Sequence, residues 1–105
     1  MNKYLKLKEE LDTIGIGKMK GFGNSMLPIL KSGSLLTFQK NDKYEIGDIV
    51  FCKVNGRFID AHKIIKHDLQ KGFLIANNHG WENGWTKIIY GKVIKSEFKD
   101  EIKAF

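Results

Sequence analysis

Asn55-Gly56 lies between two runs of β-forming residues, Asp48–Val54 (DIVFCKV) and Arg57–Lys66 (RFIDAHKIIK), and constrains this chain more than any other feature. A two-residue type I′ turn needs positive φ at both central positions, which Asn and Gly tolerate. The two runs are therefore expected to pair as an antiparallel hairpin. Further β signals surround them: Ser34–Lys40 (SLLTFQK), Phe73–Ala76 after a Lys71-Gly72 turn, and one or two strands within Thr86–Phe98. Short strands joined by short turns predict a mainly β fold, a small, strongly bent sheet or partial barrel.

The first residues read differently. Leu5, Leu7, Leu11 and Ile14 form a loose helical stripe over Asn2–Ile14, with Gly15 and Gly17 as expected stops. The expected organisation is a helix and linker over residues 1–17, then a single β domain over 18–105. At 105 residues the chain can bury one modest core. One short helix is too little for a helix-turn-helix, which needs at least two packed helices.

Composition narrows the function classes. The net charge of +6 and a pI near 9.4 bring acidic partners into view. The lysines are scattered, however, with no basic helix, zinc-finger spacing or aromatic RNA-binding motif, so a lysine-rich surface is favoured over nucleic-acid binding. No apolar run approaches the roughly 20 residues needed to cross a bilayer, and the charged start lacks a secretory leader's apolar stretch. No integral membrane anchor is expected. The lone Cys52 fits a reducing compartment, and the expected location is the cytoplasm.

One segment interrupts the β pattern. Gly21-Phe22-Gly23-Asn24 leads into Ser25-Met26-Leu27-Pro28, and Pro28 suits the first turn of a short helix. Free backbone N–H groups at such a start can hold an oxyanion, which makes a serine there useful as a nucleophile. Ser is equally an ordinary N-cap residue.

Several segments in order resemble the S24/S26 serine peptidases, the LexA-like and signal-peptidase-like group. Gly23-Asn24-Ser25-Met26-Leu27-Pro28 resembles the family's G-x-S-M-x-P nucleophile box. Leu30–Leu35 is similar to the turn that follows, with Ser34 in place of the usual acid, and Gly47-Asp48-Ile49-Val50 is similar to its GDIV segment. Ala61-His62-Lys63-Ile64-Ile65 resembles the V-H-R-I-I strand of the histidine-using signal peptidases, and Tyr90-Gly91-Lys92-Val93 the closing G-K-V strand.

The resemblance implies Ser25 as nucleophile, His62 as general base, and N–H groups near Ser25 and Met26 as oxyanion donors. Strand alternation puts Phe58, Asp60, His62 and Ile64 on one face and Ile59, Ala61, Lys63 and Ile65 on the other. His62 and Lys63 thus cannot both reach Ser25, and a one-residue register change would exchange them. An ordinary imidazole, with a pKa of about 6.5, accepts a proton at neutral pH, whereas a lysine must first be desolvated.

The acid that commonly orients the histidine is missing: the corresponding stretch, Ala76-Asn77-Asn78-His79-Gly80, carries amides. Asn77, Asn78 and Asp60 are the candidate orienting groups, and Asn24 also replaces an acid common in the LexA-like branch. Trp81–Trp85 reads as an aromatic and polar loop. His62, His67 and His79 match no zinc spacing, and neither metal nor cofactor is expected. Three functions stand: a soluble endopeptidase acting on a protein or peptide, an inactive peptidase fold that binds protein, and a basic nucleic-acid binder. Absence of an Ala-Gly or Cys-Gly linker disfavours self-cleavage, and small stand-alone members of this kind suit a phage or mobile-element setting.

Overall fold

In the computed structural model, which describes residues 2–105, one helix precedes eight strands. Helix α1 (Lys3–Ile14) is capped by Asn2, whose Oδ1 accepts the Leu5 N–H at 2.9 Å. It ends at Gly15, where a left-handed conformation (φ 78°) lets the N–H reach the Leu11 carbonyl. A helix of this length is marginal in water and needs tertiary packing. Leu7 and Leu11 supply that packing, at 0% and 1% exposure.

Gly17 does not stop the helix. It lies in strand β1 (Ile16–Gly21), where an added Cβ would stand 2.8 Å from Leu7 Cδ1. Its lack of a side chain lets α1 rest directly on β1. The expected strands appear with shifted ends: β2 (Ser34–Gln39), β3 (Ile49–Val54), β4 (Arg57–Asp68) and β5 (Gly72–Ala76). The aromatic and polar stretch expected as a loop is instead strand β6 (Glu82–Thr86), followed by β7 (Ile88–Phe98) and β8 (Glu101–Ala104). Asn55 and Gly56 both have positive φ, and β3 and β4 pair across them.

All pairings are antiparallel, in the order β1-β2-β7-β3-β4-β5-β6. Strand β8 pairs with the end of β7. The fold is therefore the expected mainly β one, a single open sheet with a short N-terminal helix. The sheet curls so that β3 is covered on both faces. Ile49 and Phe51 join the core beneath α1, while Val50, Cys52 and Val54 join a second cluster with Ile64 and Ile75. Burial on both sides explains why this strand reads as a continuous apolar run.

Strict alternation fails along β4. Val50 pairs with His62 but Cys52 pairs with Ile59, so β4 carries one extra residue there, a β-bulge. Phe58 consequently packs in the same cluster as Ala61, and Ile59 in the same cluster as Ile64. The sequence expectation grouped Phe58 with Ile64 and Ile59 with Ala61. The bulge changes the phase of the strand between them.

Truncating Leu11 tests whether the helix belongs to the core. Leu11→Ala is expected to lower unfolding stability by about 2–5 kcal/mol. Urea denaturation should show an earlier midpoint and an unchanged slope.

Candidate active site

The serine segment forms a series of turns rather than the expected helix, with a cis Leu27–Pro28 peptide. Leu27 N–H donates to the Asn24 carbonyl at 3.2 Å, and Leu30 N–H to the Met26 carbonyl at 2.9 Å. Met26 and Leu30 are buried at 4% and 6% exposure and anchor the segment in the core. Ser25, between them and the surface, is only partly buried.

Its hydroxyl meets His62, with Ser25 Oγ 3.0 Å from His62 Nε2. On the far side of the ring, Nδ1 lies 2.6 Å from Asn83 Oδ1. An amide oxygen only accepts, so Nδ1 carries the proton in this contact. In the neutral ring Nε2 is then left with its lone pair, directed at the serine hydroxyl.

Asn83 reaches the ring because β6 is also bulged. Ile75 pairs with Gly84 and Ala76 with Glu82, which leaves Asn83 as the extra residue. The bulge redirects its side chain, and Gly84 takes a φ of 129° that a side chain would resist. Sequence reasoning included Asn83 only in a loop. The signal that would have found it is Asn-Gly inside an otherwise strand-like stretch, a common mark of a bulge.

The other candidates take different positions. Lys63 Nζ donates to Asn78 Oδ1 at 3.3 Å. Asn78 also supports the serine turn: its backbone N–H donates to the Ser25 carbonyl at 2.9 Å, and its Nδ2 to the Leu27 carbonyl at 2.8 Å. Asn77 closes its own loop, Oδ1 accepting the N–H groups of His79 and Trp81. Asp60 lies 3.9 Å from Lys3 Nζ. Neither asparagine of this pair, nor Asp60, is the partner of the His62 ring.

His79 Nε2 donates to the Asn24 carbonyl at 3.1 Å, tying the loop before β6 to the serine segment. His67 stacks on Phe73 at 4.5 Å. Among the described residues, no group of three or more His, Cys, Asp or Glu side chains could hold a metal ion. No helix among them is long and apolar enough to cross a membrane.

A cavity of about 270 Å³ opens beside Ser25 and His62, bounded by Gly21–Gly23 on one side and Phe58–His62 on the other. Tyr4 of α1 also lines it. Beyond the cavity, β4 pairs with β5 only from Lys63 onward, so its Arg57–His62 portion has no neighbour on that edge.

The chain is thus a mainly β domain in which a serine-bearing turn is set against the fourth strand of an open antiparallel sheet. The family model described as Peptidase S24-like matches residues 4–94, and the chain belongs to that family. No curated protein matches it.

Two titration behaviours follow from burial. Cys52 is fully buried, and desolvation pushes its thiol up to about 12. Native protein is expected to resist iodoacetamide at neutral pH and to react once unfolded in denaturant, as mass spectrometry would show. Burial, then the neighbouring Asp60, push the Tyr4 phenol up to about 12. The folded chain thus keeps a proton that the unfolded chain releases near its ordinary value of about 10, and stability is expected to fall between those two values. Denaturation midpoints measured across this range, with Tyr4→Phe as control, check the sign.

Proposed function

We propose that this protein is a serine endopeptidase in which Ser25 is the nucleophile and His62 the general base. The observation that carries the reading is the 3.0 Å contact between Ser25 Oγ and His62 Nε2, on a ring whose opposite nitrogen is held by Asn83. Hydrogen-bond reach between nucleophile and base, with a third group behind the base, is the geometry of a catalytic triad. The lysine that could have competed as base is engaged with Asn78.

In the reaction, the Ser25 proton passes to His62 Nε2 as Oγ bonds to the scissile carbonyl carbon. The carbonyl oxygen takes up negative charge beside the N–H groups of Ser25 and Met26. Among the described residues, neither donates to a protein acceptor. The imidazolium gives its proton to the leaving amine, and water then hydrolyses the acyl-enzyme through the same base.

The unpaired Arg57–His62 edge of β4 suits an extended polypeptide, whose main chain would add as a strand past Ser25. This favours a peptide substrate over a small ester. The signal-peptidase-like histidine chemistry belongs to this reading, as does a cytoplasmic setting, which the unpaired Cys52 suits.

A fluorophosphonate probe tests the assignment. Wild-type protein should be labelled once, at Ser25, and Ser25→Ala should not be labelled. Labelling that persists in Ser25→Ala would overturn the nucleophile. Asn83→Leu is expected to slow labelling by about 10²-fold or more, since the ring loses its fixed tautomer. Asn83→Asp is expected to keep labelling but move its rise with pH to higher pH, because a carboxylate favours the protonated imidazole. An identical pH profile in Asn83→Asp would show that residue 83 does not act through the base.

A further inference from the structure

Taking the Ser25/His62 reading as its basis, we propose that the cavity beside the pair is a specificity pocket for a large apolar side chain, leucine, methionine or phenylalanine, adjoining the scissile bond. Ser25 and His62 are themselves part of its lining, so a side chain lodged there holds its own main chain at the Ser25 hydroxyl.

Size gives the first argument. An apolar cavity of about 150 Å³ can hold a benzene ring. This one, at about 270 Å³ and lined by both apolar and polar groups, is far larger than an alanine methyl requires and would be left mostly unfilled by it. Its lining supplies the second argument. Met26, Leu30, Leu36 and Ala61 are all buried and apolar. Tyr4 and Phe58, stacked with centroids 5.5 Å apart, add aromatic wall.

The charged groups decide between an apolar and a cationic occupant. Asp60 is the lining's acid, and it already faces Lys3 at 3.9 Å and the Tyr4 phenol. Lys31 is drawn away to Glu101 at 3.0 Å. Both charges are matched within the protein, so neither calls for a charged partner from the substrate. A net charge of +6 further disfavours a basic substrate side chain.

A series of dipeptidyl diphenyl phosphonates bearing Ala, Leu, Phe, Lys or Asp at the reacting position tests the pocket. Ser25 Oγ bonds to phosphorus, one phenoxide leaves with the electron pair of the broken P–O bond, and the serine proton passes through His62 to that phenoxide. Rates are read by intact-protein mass spectrometry, beside a simple alkyl fluorophosphonate that reports on Ser25 alone. The Leu or Phe probe is expected to react at least about tenfold faster than the Ala probe, since a missing methylene in an apolar pocket costs that much or more. Ala61→Leu, checked for folding by its denaturation midpoint, is expected to shrink that ratio towards one.

Equal rates for Leu and Ala, or fastest reaction with Lys or Asp, would overturn the pocket while fluorophosphonate labelling left the nucleophile standing. Failure of every reagent, the alkyl fluorophosphonate included, would overturn the Ser25/His62 reading and the pocket with it.

Discussion

The architecture depends on covering β3 from both sides. Val50, Phe51 and Cys52 are all fully buried, and successive residues of a strand face opposite ways. A flat sheet could not bury such a strand without a second layer on each face. Here α1 and the serine segment cover one side, and the curl of the sheet through β4 and β5 covers the other. Both coverings meet near His62. The same constraint therefore brings Ser25, from a segment between strands, against the middle of β4.

Bulges then set the directions of the side chains that meet at the candidate site. On β4 the extra residue falls just before His62, and on β6 it is Asn83 itself. A bulge re-aims a side chain without moving the whole strand, which makes it a local solution to a geometric need. Without the β6 bulge, Asn83 would continue the regular alternation of its strand. Asn78 hydrogen-bonds the Ser25 and Leu27 carbonyls and so ties the serine turn to the loop before β6.

The legible parts of the sequence were those governed by local rules. The Asn55-Gly56 hairpin, the short N-terminal helix and the strand at β3 each follow from neighbouring residues, and they appear as expected. What stayed hidden depended on distant contacts. Strand β1 has a weak pattern of its own, and only α1 on one face and β2 alongside make it a strand. Strand β6 has a Gly at its third position and reads as a loop until β5 pairs with it. Asn83 is hidden for this reason, and strand alternation and family order point instead to Asp60, Asn77 and Asn78. Alternation is a rule for regular strands, and both strands that carry the site break it.

An amide behind the histidine has a definite consequence for how the site can work. Asn83 Oδ1 can fix which nitrogen carries the proton, the part of an acid's role that depends on geometry. It lacks the negative charge that stabilises an imidazolium, so in the proposed reaction the proton transfer would have less electrostatic help than an Asp would give. Asp60, though close in sequence, has its charge matched by Lys3 and lies beside Tyr4, away from the Nδ1 contact. On the proposed mechanism, the arrangement would orient the base without strongly stabilising the proton that it accepts. Tight positioning of the polypeptide by the open β4 edge would then have to supply more of the rate, through proximity and orientation, than in a site with a full acid–histidine pair.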